Sequence, residues 1–266
     1  MKNLILFLLP FGLFAQENCN YYKTIGEMDK YEACVMYEEL AIKYPNQFQR
    51  EWMEGLDSIL AKNPTYARAL HEKSVTYLKA GNFVKWKKII DKAVKSDAVN
   101  YLGYRAGAKA KFLADYEGAI QDIDSLATIT NYDLGVTING DYHLNIVKAI
   151  CYSQLGQKEK AIEVFEKQLA NPEHNVGLYD YYQLGVTYFE LNQYDKALKS
   201  FERQIQENEN AETQYYIGQI YKAQNDSENY KKHKEKALEL YEKGVIMRDP
   251  YNEHINKVYY ETIAEN

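Results

Sequence analysis

Apolar residues return every three or four positions along most of the chain, and the runs that carry this period are short and come in pairs. In one pair Tyr181, Leu184, Gly185 and Tyr188 share a face, because residues three and four apart are neighbours on a helical surface. Beyond Asn192, the residues Tyr194, Ala197 and Phe201 do the same on a second run. The pattern predicts two amphipathic helices joined by a tight turn. Gly185 and Ala197 are small where the two helices must approach, while Tyr181, Tyr188 and Phe201 fill the flanking space, and dense packing depends on that alternation. One hairpin of this size cannot bury its apolar face alone, so neighbouring hairpins must stack.

The same register recurs with uneven fidelity. Ala211 opens a unit with Ile217, Gly218, Tyr221, Asn225, Ala237 and Leu238, although Tyr230 and Lys234 stand where a small residue and an aromatic are expected, a departure that suits a terminal unit facing water. Tyr142 opens another with Ala149, Tyr152, Gly156, Ala161, Phe165 and Pro172, and Lys148 replaces the Leu expected there. Asn100 opens one with Gly107, Tyr116, Ala119 and Ile123, and Ala67 one with Leu70, Ser74, Tyr77, Gly81, Ile90 and Ala93. The weakest contains Leu40, Ala41, Tyr44, Trp52, Leu56 and Pro64. Trp52 and Trp86 take the place that Ala119, Ala161 and Ala197 hold in later units, which predicts indole filler between wider hairpins.

The spacing resembles the tetratricopeptide repeat, a helix-turn-helix unit of about 34 residues marked by an aromatic, a Leu-Gly pair, an aromatic, a small Ala and a second-helix aromatic. The expected fold is all-α, a right-handed α-solenoid of about six such units with a C-terminal capping helix. Its boundaries are a signal peptide at 1–15, an N-terminal arm at 16–32, a solenoid at 33–249 and the capping helix at 250–266. Units start near 33, 67, 100, 142, 178 and 211, and an insertion at 128–141 carries the turn residues Gly135, Asn139 and Gly140. Ile255, Val258, Tyr259 and Ile263, at helical spacing, suggest the closing helix.

The resemblance implies a concave groove lined by first helices, with ligand contacts from the second, fifth, ninth and twelfth positions of each. Those positions collect Arg68, His71, Tyr101, Tyr104, His143, Ile146, Tyr179, Tyr182, Phe189, Tyr215 and Lys222 as partner-binding residues. The Lys and Asn clamp that some family members use for a C-terminal carboxylate is not matched, since Val75 and Ala108 stand where Asn is needed.

Charge and chemistry narrow the function. The chain has 32 basic and 38 acidic residues, a net charge of −6, which argues against a nucleic-acid partner. Lys85, Lys87, Lys88, Lys92 and Lys95 read as a solvated helix face or a rim for acidic partners. A short basic start, the apolar run Leu4 to Phe14 and Ala15 before Gln16 make a secretory signal peptide too short to span a bilayer, so the expected location is secreted or periplasmic, with no stable membrane insertion after cleavage. Gln16-Glu17-Asn18 before Cys19 does not fit a lipoprotein site. Cys151 reads as a packed thiol. A bridge between Cys19 and Cys34 would close a loop of 15 residues, worth about 3 kcal/mol, and the sequence leaves open whether it forms.

No enzyme is expected, and no cofactor or metal. His71-Glu72 lacks a second His at the zinc-protease spacing, because Val75 is there, and no nucleophile elbow or glycine-rich phosphate loop is present. The expected function is a non-catalytic scaffold holding a protein or peptide partner in the groove. The alternatives are a carbohydrate-binding module, in which the tyrosines (26 in the chain) stack on sugar faces, and an accessory subunit of an envelope enzyme.

Overall fold

The computed structural model describes residues 18–265; the expected signal peptide at 1–15 lies outside them. Two compact units divide the chain, residues 1–96 and 97–266. In the first, α1 (Cys19–Thr24) packs on α2 (Met28–Lys43), which pairs with α3 (Arg50–Lys62), and α4 (Ala67–Lys79) pairs with α5 (Phe83–Ser96). In the second, the pairs are α6 (Ala98–Ala108) with α7 (Tyr116–Ile129), α8 (Leu144–Gln154) with α9 (Lys158–Leu169), α10 (Asp180–Glu190) with α11 (Tyr194–Asn208), and α12 (Ala211–Ala223) with α13 (Ser227–Glu242). Within this second unit first helices lie beside first helices, α6 on α8, α8 on α10 and α10 on α12, as stacked hairpins of a solenoid require. The described residues contain no strand, only an isolated bridge between Val136 and His143.

The small residues work as their spacing demands. A Cβ on Gly185 would lie 2.5 Å from the Phe201 ring, so the glycine is what lets α10 and α11 close on each other. Ala197 and Phe201 are fully buried beside it. Asn192 and Asn225 turn the last two hairpins in left-handed conformations, φ +55° and +60°, that asparagine tolerates better than most residues. Both indoles are buried, Trp52 against Tyr37 and Trp86 in the second hairpin's core. Lys148, where Leu was expected, reaches Asp124 on the preceding hairpin, so an ion pair takes the place of apolar contact. Asp122 is buried in the hairpin before it and receives Arg105 at 2.6 Å and Lys109 at 2.8 Å.

The sequence left the conformation of the N-terminal arm open, and at the C-terminus the structure departs from the expectation. The N-terminal arm is helical: α1 is joined to α2 by a disulfide between Cys19 and Cys34, with Cα atoms 5.4 Å apart. At the other end only α14 (Tyr260–Glu265) is helical. Residues 245–259 form an irregular segment in place of the first half of the expected 250–266 helix. Pro250 removes a backbone donor, and Asp249 folds the chain over itself by accepting from the Tyr251 and Asn252 amides, an arrangement that competes with helix. Ile263 and Val258 nonetheless close the last hairpin against Ala237 and Leu240.

Candidate functional site

The first helices of the second unit present one continuous face, and the 245–259 segment lies on it. It leaves α13 at Gly244, whose φ of +72° is glycine territory, and the Val245 carbonyl accepts from the Ala211 amide. The amide of Met247 then donates to both carboxylate oxygens of Glu212, at 3.1 Å each. Met247 is fully buried with Tyr179, Tyr182 and Ile217. The segment next reaches the π-helical turn Lys109–Leu113 that ends the first helix of the third hairpin, where the Lys111 ammonium pairs with the carboxylates of Asp249 and Asp141 and the Asn252 side chain donates to the Lys111 carbonyl. It returns across α8 and α10. His254 stands edge-on to Tyr179, with centroids 4.8 Å apart, and to Tyr142 at 6.1 Å.

The returning segment is held through its main chain. Tyr182 Oη donates to the Asn256 carbonyl at 2.5 Å, and Gln183 Nε2 donates to the Ile255 carbonyl at 2.8 Å. The carboxamide oxygen of Gln183 in turn accepts from Asn256 Nδ2 at 2.8 Å. Lys257 Nζ donates to the Met247 carbonyl, tying the two ends together. Residues 247–257 thus form an Ω-type loop whose neck sits on α12 and whose body fills the groove.

This rearranges the predicted partner-binding residues. Tyr182 is fully buried, Tyr179 and His143 nearly so, and Ile146 is core; these were expected to face an open groove, but the chain's own loop and neighbouring helices cover them. His143 is an N-cap instead: its Nδ1 accepts from the Asn145 amide at 3.0 Å, and Nε2 donates to Asp133 in the 128–141 insertion. Burial, the largest influence, holds its imidazole below the ordinary value despite Asp133. Phe189 packs on Tyr216, and Tyr215 packs at the last hairpin. Lys222 is exposed, above the Tyr230 ring. Tyr101 and Tyr104 are half-buried on the first helix of the third hairpin. In the first unit, Arg68 pairs with Glu38 and lies over the Tyr37 ring at 4.3 Å, while His71 pairs with Glu72. Burial would raise the Glu72 carboxyl, but hydrogen bonds from His71 and Gln47 hold it low.

Glu212, Gln183 and Lys111, which anchor the loop, carried no sequence signal: Gln183 and Glu212 lie among helix positions that merely looked polar. A buried His174–Asp180 pair at 2.9 Å was also unforeseen; it closes the turn at Gly177, whose amide donates to the same carboxylate. Among the described residues no group of three or more His, Cys, Asp or Glu is placed to hold a metal. Cys151 is free and buried, and burial pushes its thiol up to about 12.

Stacked helical hairpins closed by Gly185, Ala197 and Phe201, with the chain's own C-terminal segment on their first-helix face, define an α-helical repeat protein. The family profile described as "Tetratricopeptide repeat" matches residues 142–173 and 181–210, which are the fourth and fifth hairpins. No curated protein matches it. Among solved structures, PilF of Pseudomonas aeruginosa is 17% identical with a TM-score of 0.60, over 80% of this chain and 94% of its own. PilW, described as a widely conserved type IV pilus biogenesis factor, is 14% identical with a TM-score of 0.62, over 79% and 94%. YrrB, described as having an unusual peptide-binding site, is 15% identical with a TM-score of 0.54, over 71% and 93%. At these identities the likeness is one of fold.

Proposed function

We propose that this protein is a non-catalytic scaffold that holds a segment of another protein on its first-helix face, outside the cytosol. The observation that carries this reading is the loop on the second unit's groove. Tyr182 and Gln183 grip two successive main-chain carbonyls, contacts that any peptide can supply, and Lys111 grips a carboxylate, which selects an acidic residue. The Cys19–Cys34 disulfide supports an oxidising compartment, as does the signal-like start of the sequence. Among the described residues no helix is long and apolar enough to cross a membrane. The resemblance in fold to PilF and PilW fits an envelope role in assembling a larger structure.

The carbohydrate reading loses support, because Tyr179 and Tyr182, two of the rings offered for stacking, are buried. The decisive experiment is affinity capture after crosslinking in the intact envelope, followed by calorimetry with the purified candidate. A saturable protein complex is expected. Binding to a glycan array with no measurable protein complex would sink the proposal, and N-terminal sequencing that finds an uncleaved Met1 would sink its location.

A further inference from the structure

We infer that residues 247–257 are a resident stand-in for a ligand, and that the groove of the second unit exchanges this loop for a carboxylate-bearing peptide segment of the partner. This rests on the scaffold reading and adds the site and the chemistry of what it takes. The loop's apolar anchorage is thin: of its residues only Met247 is fully buried, Ile255 is half-buried, and Tyr251 and Glu253 face solvent. Besides Met247, Ile255 and the His254 ring against Tyr142 and Tyr179, its fixation is polar and exchangeable, made to main-chain carbonyls by Tyr182 and Gln183, to the Met247 amide by Glu212 and to a carboxylate by Lys111. Any segment presenting two successive carbonyls, with an Asp or Glu toward its N-terminal side, satisfies Tyr182, Gln183 and Lys111.

The groove side is built independently of the loop. Tyr182 lies within the core of the fourth and fifth hairpins, and Gln183 is on the same rigid helix. Lys111 keeps Asp141 as a partner when Asp249 leaves, whereas the buried Glu212 loses the Met247 amide and must accept a main-chain amide of the incoming segment instead. The loop's flanks are fixed separately, by the α12–Val245 contact before it and by Ile263 in the last hairpin after it, so the loop can lift without the hairpins separating.

The test uses a fluorescent synthetic peptide with the sequence of residues 246–258 and the full chain. Asp249→Asn with Ile255→Ser weakens the resident loop and leaves the groove intact. If the wild-type loop is closed about nine-tenths of the time, the weakened chain should bind the peptide about tenfold more tightly, because apparent affinity falls with the competent fraction. Adding Gln183→Ala should abolish that gain, and a peptide carrying the Asp249→Asn change should bind more weakly than its parent. Failure of the peptide to bind a cooperatively folded weakened chain would overturn the proposal, as would a concentration-dependent dimer of that chain, which would make a second copy the occupant. Hydrogen exchange on the wild type covers the case in which the variant does not fold: the amides of Met247, Tyr251 and Asn252 should exchange faster than those of α10 and α12. Exchange of all of them only with global unfolding would show the loop to be a fixed part of the fold. A partner captured from the envelope that is indifferent to the peptide would leave the scaffold reading standing and remove this one.

Discussion

Single residues decide how closely the hairpins pack. Gly185→Ala places a methyl group against the Phe201 ring, and Ala197→Trp overfills the same contact; each should cost about 1 to 3 kcal/mol, read as a lower melting temperature by circular dichroism. Tyr182 belongs to this class as well. A groove tyrosine would be removable without loss of stability, whereas a fully buried ring truncated to Ala costs about 3 to 5 kcal/mol. Tyr182→Phe, which keeps the ring and loses only the bond to the Asn256 carbonyl, should cost about 1 kcal/mol and speed exchange of the loop amides. An unchanged melting temperature for Tyr182→Ala would put the ring back at the surface.

At the scale of elements the two ends respond to different variables. The Cys19–Cys34 disulfide holds α1 to α2 across a sequence separation of 15, so reduction should lower the stability of the first unit by about 3 kcal/mol, seen by comparing melts with and without reductant. Cys151 should resist thiol reagents until the second unit opens, since its thiol is buried and its pKa is raised. The C-terminal loop should respond to acid. Burial depresses the His254 imidazole, opposed by the Arg248 carbonyl, Asp141 and Asp249 and aided by Lys111, with the rings of Tyr142 and Tyr179 facing it. A lifted loop regains the ordinary value of about 6.5 and binds the proton more readily, so closure is firmest above that pH and weakens as pH falls below it. Hydrogen exchange corrected for intrinsic rates should show this for residues 247–257 and not for α10, and His254→Gln should remove it.

Across the whole molecule the many tyrosines set a limit at alkaline pH. Burial raises the phenols of Tyr142, Tyr182 and Tyr216 above the ordinary 10. The unfolded chain releases these protons near pH 10 and the folded chain holds them, so their contribution is intact below pH 10 and is lost as pH rises beyond it. Tyrosinate absorbance should therefore titrate in two phases, the second coinciding with loss of helix. A single phase with helix retained throughout would contradict the buried hydroxyls.

The sequence by itself determined the hairpins, because each depends on local spacing: a glycine or alanine opposite an aromatic three or four positions along can be read without knowing where the chain goes next. The helices that begin at Ala67, Ala98, Leu144, Asp180 and Ala211 carry that periodicity. It also placed Tyr101, Tyr104, Tyr182 and Tyr215 on first helices, which is a statement about period. Which face of a first helix stays open was decided only by the tertiary structure. The return of residues 247–257 onto α8, α10 and α12 depends on contacts such as Gln183 to Ile255 and Lys111 to Asp249, separated by 72 and 138 residues. Polar pairings of that range leave no periodic trace, so the residues that grip the loop looked like ordinary helix surface, and Tyr179 and Tyr182, which looked available for binding, proved to be buried.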